Sequence, residues 1–381
     1  MRPRFDVPDK SPYFDNGVTT RIPDEVVEAM RPYLYEEFAD PGEDCRPGER
    51  AAEALVLARE EIADMVGAES ANVWFTSGGT EANNWVVRCI EGQGIPVCSS
   101  IEHLSVLKPV EAMGGHLISV DGDGRVFLED LESILNENKV RLVSVQRANQ
   151  DTGILQDIRK VSELCQMAGV PLHVDACLSF GWERFSMEEW GADFITLSSH
   201  KVWGPVGCGA LISSGKYPIA PFILGGAQEF GLRAGPVPLA LVVGFHAAMK
   251  LMWTGVEERA KRIAELRDLV ETDLSEVTRA IEFGATVSRL PNFSCLAFPG
   301  SDATFLAADL EHRYGMSVGV GGAAEAGSSS RVLAAMGTTE EMRTSALRFR
   351  FGSKFNRDDA NQIIVGLSSS LREERSRPVG L

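Results

Sequence analysis

Up to Ile212 the chain alternates short, unbroken apolar runs with longer stretches in which apolar residues recur every three or four positions. The short runs suit strands buried on both faces, and the periodic stretches suit helices with one face on a core. The predicted strands cover residues 72–76, 96–100, 116–120, 140–145, 171–175, 194–197 and 208–212. Predicted helices cover 24–30, 49–66, 103–113 and 128–135, with another opening at Thr80 after the Ser77-Gly78-Gly79 turn. This rhythm predicts an α/β fold with a mostly parallel sheet covered by helices on both faces. From Leu239 a long helix runs to about Thr254 and continues into mixed helices and strands, which predicts a second, smaller α/β domain. The expected division is 14–250 for the large domain and 251–381, together with 1–13, for the small one. Two domains suit a chain of 381 residues. The charged tail 372–378 is expected to fray.

Composition narrows the setting. A hydrophobic share of 44% and a charged share of 24% are those of a water-soluble globular protein. No run reaches the ~18 apolar residues of a membrane span, and the charged N-terminus lacks the apolar centre of a signal peptide. A cytoplasmic location is the expectation. The net charge of −17, scattered along the chain, argues against nucleic acid or an acidic membrane as partner. Seven cysteines, an odd number without a C-x-x-C pair, speak against a disulfide framework and a structural zinc site. The six histidines show no metal-ligand spacing, so no metal is expected.

The chemistry is concentrated at the ends of four predicted strands. One apolar run ends in His173-Val174-Asp175-Ala176, another in Leu197-Ser198-Ser199-His200-Lys201. An Asp and a Lys so placed are what pyridoxal 5′-phosphate needs. The amine forms a Schiff base with the cofactor aldehyde, and the carboxylate keeps the pyridine nitrogen protonated so that the ring accepts electrons. The Gly78-Gly79 turn feeding a helix at Thr80 exposes backbone N–H groups at the positive end of the helix dipole, a ready phosphate site. His103, after the strand at 96–100, can stack on a cofactor ring while serving as acid or base.

Together these segments resemble the class V aminotransferase family, and within it the cysteine desulfurase branch. The resemblance runs through nearly the whole chain. It is carried by Phe14-Asp15-Asn16-Gly17-Val18-Thr19-Thr20, by Phe75 to Asn84, by Ile101-Glu102-His103, by the two segments just quoted, by Gly225 to Glu229 with Leu232 to Gly235, and by Leu347-Arg348-Phe349-Arg350-Phe351-Gly352. It implies the pyridoxal-phosphate fold type I and a homodimer with shared active sites. It also implies roles. Lys201, His103 and Asp175 would be catalytic. Gly78, Gly79, Thr80, His103, Gln150, Asp175, Ser198, His200 and Lys201 would bind the cofactor. Asn16 and Arg348 would bind an amino-acid substrate.

The departures bear on the reaction. The family's cysteine desulfurases carry a nucleophilic cysteine on a loop that here reads Val318 to Ser329, and its position falls on Ala324. No cysteine follows Cys295 in the chain. A methyl group cannot attack sulfur or carry a persulfide. Leu178 stands where the family has a glutamine on the cofactor's phenolic oxygen, Gln150 where it has an asparagine, and Pro236 where it has a threonine. Three readings stay open: C–S lyase-type elimination or a related reaction without a loop persulfide; desulfuration through another thiol, Cys177 or an external one, with a sulfur-acceptor protein; and a non-catalytic assembly subunit. Retention of Lys201, Asp175, His103 and Arg348 favours an enzyme.

Overall fold

The protein is described by a computed structural model that covers residues 12–321 and 329–376. The larger sheet contains β1 (Val73–Thr76), β2 (Ile95–Ser99), β3 (His116–Ile118), β4 (Val140–Ser144), β5 (Leu172–Asp175), β6 (Phe194–Ser198) and β7 (Gly209–Ser213), in the order β1-β7-β6-β5-β4-β2-β3. The pairs β6–β5, β5–β4, β4–β2 and β2–β3 are parallel, and only β7 runs against its neighbours. Every residue of β5, β6 and β7 is buried, which explains the unbroken apolar runs: both faces carry helices. Several helices stop at a left-handed glycine, among them Arg46–Val66 at Gly67 and Ile158–Ala168 at Gly169.

A smaller sheet contains β8 (Ile281–Glu282), β9 (Phe293–Ala297), β10 (Gly319–Val320) and β11 (Ala346–Arg350), in the order β10-β11-β9-β8. Its pairs are antiparallel. The N-terminal segment joins it through bridges from Tyr13 to Ser317 and from Asp15 to Arg350. Between the sheets run the helices Leu239–Trp253 and Val256–Thr278, bent by 71° where Gly255 takes a left-handed conformation. No single helix among the described residues is long and apolar enough to cross a membrane.

The predicted strand ends shift by one or two residues, because the ladder rather than the apolar run sets them. The tail expected to fray over 372–378 is helical as far as Ser376, and the rest of it lies outside the described residues. The last helix runs from Arg357 to Ser376. Its final turns are tied down where Arg313 pairs with Glu373 and where the Asp302 N–H donates to Glu374 Oε1 at 2.8 Å. Residues 377–381 and the segment carrying Ala324, Gly322 and Gly327 lie outside the described residues.

Candidate active site

A cavity opens where β5 and β6 end against the first turn of the Gly79–Cys89 helix. Thr80, Ser198 and Lys201 line it together with Gly79, and Asp175, Cys177 and Leu178 come from the end of β5. His103 and Ser105 close a third side, and Gln146, Ala148 and Gln150 a fourth. Parallel strands ending side by side, with a helix N-terminus between them, are the usual place for a ligand in an α/β sheet. A larger cleft near Arg159, Glu163 and Glu188 gathers surface side chains without any such convergence.

Local sequence explains each placement. Gly78 precedes the helix at φ +146°, a conformation that L side chains rarely adopt. A side chain on Gly79 would come within 2.8 Å of Cys177 Sγ, so this helix approaches the sheet only as closely as glycine allows. Lys201 closes a short 3-10 turn, Ser199–Lys201, directly after β6. Its ammonium donates to the carbonyls of Gly17 and, at 2.8 Å, Val18. Thr20 is fastened to the same turn: its N–H and its hydroxyl both donate to the His200 carbonyl. The N-terminal loop is thereby drawn over the lysine. Burial, with the Arg350 charge adding, pushes Lys201 down to about 8. Roughly one amine in ten is then neutral at neutral pH.

Asp175 is held by short bonds. Its Oδ2 accepts from Asn83 Nδ2 at 2.7 Å and its Oδ1 from the Cys177 N–H at 3.0 Å. Asn83 also donates to Ser105 Oγ at 2.9 Å, and Ser105 Oγ lies 2.7 Å from His103 Nδ1. The Ser105 N–H donates to the same ring nitrogen at 3.2 Å. Nδ1 is therefore the acceptor, and the neutral ring carries its proton on Nε2. Burial pushes the imidazole below its ordinary value and keeps it neutral. Below Asp175, His173 is bonded on both nitrogens, to Ser144 Oγ at 2.7 Å and Thr196 Oγ1 at 3.0 Å, and burial lowers it to about 4. Neighbouring Glu102 is fully buried, accepts the Gln146 N–H at 2.8 Å, and is pushed well above the carboxylate range by burial and then by the nearby Asp175.

Of the residues singled out from the sequence, the cavity gathers Gly79, Thr80, His103, Gln150, Asp175, Ser198 and Lys201. Gly78 caps the helix beside it. His200, lowered by burial to about 4, does not line the cavity. Asn16 and Arg348 also stand back from it: Asn16 donates to the carbonyls of Tyr13 and Arg350, and Arg348 pairs with Asp151 at 2.9 Å. Sequence reasoning did not single out Asn83, Ser105 or Asp151. Asn83 was within reach, since it sits four residues after Gly79 on the same helix face. Cys177 lines the cavity, but burial and then Asp175 push its thiol well above its ordinary value, so it stays protonated.

The residues fit pyridoxal 5′-phosphate. A helix N-terminus with two hydroxyls suits a phosphate, an amine of lowered basicity suits an aldehyde, and a buried carboxylate suits a ring nitrogen. Asn83 Oδ1 and Gln150 Oε1 are buried without a hydrogen-bond partner among the described residues, as expected of walls built for a polar guest.

Comparison with known proteins agrees with this chemistry. The sequence model of "Aminotransferase class-V" matches residues 12–362. Cysteine desulfurase IscS of Dictyoglomus turgidum is 33% identical over 384 residues, covering 96% of this chain and 95% of that protein. The structure of a NifS-like protein from Rickettsia africae superposes with a TM-score of 0.89 at 30% identity, over 95% of this chain and 99% of the other. The structure titled SspA in complex with cysteine gives a TM-score of 0.79 at 27% identity, over 89% of this chain and 98% of that one.

Proposed function

The chain belongs to the aminotransferase class-V family, as a pyridoxal-phosphate enzyme of fold type I resembling cysteine desulfurases, and we propose that it cleaves the C–S bond of a cysteine-like amino acid by elimination. One observation carries the reaction type. No cysteine follows Cys295, and the thiol that faces the described cavity, Cys177, is held protonated. With L-cysteine the balance is substrate and water giving hydrogen sulfide, pyruvate and ammonia, with no sulfur left on the protein. The cysteine complex of a structural relative supports the substrate class.

When bound, pyridoxal 5′-phosphate supplies a conjugated electron sink for the bonds at the substrate Cα. Thr80, Ser198 and the N-terminus of the Gly79–Cys89 helix would hold its phosphate, Asp175 its ring nitrogen, Gln150 its phenolic oxygen and His103 one ring face. Lys201 would hold it covalently and, once released, take the Cα proton. The lowered basicity of this amine matches that task. His103, protonated on Nε2, can give its proton to the departing sulfur. Arg348 would take the substrate carboxylate through two parallel bonds, with Asn16 on the loop beside it. The cofactor domain is 14–250 and the small domain 251–381 with 1–13.

The same reading makes the protein a cytoplasmic homodimer. The Gly225–Gly235 loop is anchored by Glu229, which pairs with buried Arg59 at 2.6 Å, and by Arg233 with Glu81 at 2.9 Å. It nonetheless presents Leu224, 83% exposed, and Phe230, 62% exposed. A second copy would cover them.

The deciding experiment incubates the holoenzyme with L-cysteine, assays pyruvate and sulfide, and weighs intact protein and peptides. Elimination predicts both products in equal amounts and no sulfur adduct. An adduct of one sulfur on Cys177 would replace this proposal with desulfuration and an acceptor protein. No product and no spectral change would leave a cofactor-binding assembly subunit.

A further inference from the structure

Arg348 is almost wholly buried, its side chain 5% exposed, and so is its partner Asp151, at 2%. Asp151 directly follows Gln150 of the cavity wall. The bonds of the guanidinium are unevenly shared. Its Nη1 donates to Asp151 Oδ1 at 2.9 Å and to the Gly321 carbonyl. Its Nε is buried with no hydrogen-bond partner among the described residues. A buried donor left without a partner is costly, and in a native site it marks a place for a ligand.

Two features bear on that edge. Asp151 is itself fixed: Ser330 Oγ donates to its Oδ2 at 2.6 Å, and its own N–H donates to Asn149 Oδ1 at 2.8 Å. On the other side, Gly319 is the cross-strand partner of Arg348. A Cβ on Gly319 would lie 2.9 Å from Nη2 and 3.0 Å from Nε. Asp15 Oδ2 lies 3.0 Å from the same point, so a side chain at residue 319 would crowd the Nε edge. Arg350, next but one on β11, also has a buried Nε without a hydrogen-bond partner among the described residues, but both of its terminal nitrogens are engaged. Its guanidinium pairs with Asp15 at 3.0 Å and donates to the Gln150 carbonyl.

We infer that Asp151 is a positioning residue for Arg348: it holds the Nη1 corner so that the Nε–Nη2 edge, which a side chain at residue 319 would crowd, receives the substrate carboxylate. The inference rests on the amino-acid reading above. A carboxylate takes two parallel N–H groups of one guanidinium edge. A guanidinium free to rotate would offer that geometry only part of the time, and Asp151 removes the rotation before substrate arrives.

The test compares two amines on the holoenzyme, L-alanine and ethylamine, which differ by the carboxylate and carry no leaving group. Titration of the cofactor's visible absorbance gives a dissociation constant for each. Their ratio reads the carboxylate contact, whereas a purely structural role would not move it. The wild type should prefer alanine. Asp151→Asn should reduce that preference about tenfold or more, and Asp151→Glu should recover part of it. Gly319→Ala crowds the same edge while leaving Asp151 unchanged, and should reduce the preference if Asp151→Asn proves too unstable to purify. If Arg348→Gln loses the preference while Asp151→Asn and Gly319→Ala keep it, the positioning role is wrong and the reading of Arg348 stands. If Arg348→Gln keeps it too, the carboxylate binds elsewhere and both fail.

Discussion

The floor of the cavity and the corner behind Gln150 solve the same problem, fixing polar groups out of water, by opposite means. The floor uses mainly neutral bonds and short side chains. Asn83, Ser105, Ser144 and Thr196 hold Asp175, His103 and His173, and burial lowers the basicity of Lys201 and of both histidines. The corner uses charges in balance. Arg348 and Arg350 face Asp15 and Asp151, brought together from the N-terminal, middle and C-terminal parts of the chain. A floor for proton transfer needs groups whose protonation can change, and such groups are tuned by desolvation. A corner for a carboxylate needs a permanent charge in a fixed orientation, which arginine paired with aspartate provides.

The largest effect expected is at Lys201. Lys201→Ala should remove covalent cofactor attachment and lower turnover by ~10³-fold or more. The check is the visible band and borohydride trapping of cofactor on the chain. A cofactor still reducibly attached in the variant would break the assignment of the floor.

Asp175→Asn comes next. The fold should persist, because the amide keeps an oxygen for the Cys177 N–H, while turnover falls by ~10²-fold or more as the ring nitrogen loses its charged partner. Near-normal exchange of the substrate α-proton would place Asp175 outside the chemistry.

The contrast in protonation is sharpened by acid. His173 has a folded value of about 4 against an ordinary 6.5. Between those values the unfolded chain binds the extra proton and the folded one does not. This contribution is thus fully present above about pH 6.5 and is lost as pH falls towards 4, by on the order of 3 kcal/mol. Urea midpoints across this range should fall less steeply for His173→Gln than for the wild type. Equal slopes would mean that the ring is not held neutral.

The smallest effect is expected at Glu102. Burial and the nearby Asp175 disfavour the charged form of its carboxyl, so Glu102→Gln should change stability by less than ~1 kcal/mol and leave the pH profile of turnover in place. A large loss in thermal unfolding would show an ionised Glu102 that pairs across the floor.

Much of the floor was legible because its information is local. A strand buried on both faces must be an apolar run, and a helix feeding a phosphate site must begin in glycine, so β5, β6 and the Gly78-Gly79 turn are visible in a few consecutive residues. Asn83 and Ser105 were not singled out, because an amide and a hydroxyl carry no signal until the helices that bear them face each other.

The sequence by itself determined the alternation of strands and helices, the amine and the carboxylate at the ends of two buried strands, and the absence of cysteine after residue 295. These follow from periodicity and residue chemistry, which act over a few positions. Only the tertiary structure decided that Arg348 leans on Asp151, 197 residues away, that Gly319 packs where a side chain would crowd its Nε edge, and that Lys201 is desolvated enough to reach about 8. Burial and long-range pairing belong to the packed molecule, since the same side chains in an open chain would be solvated and unpaired.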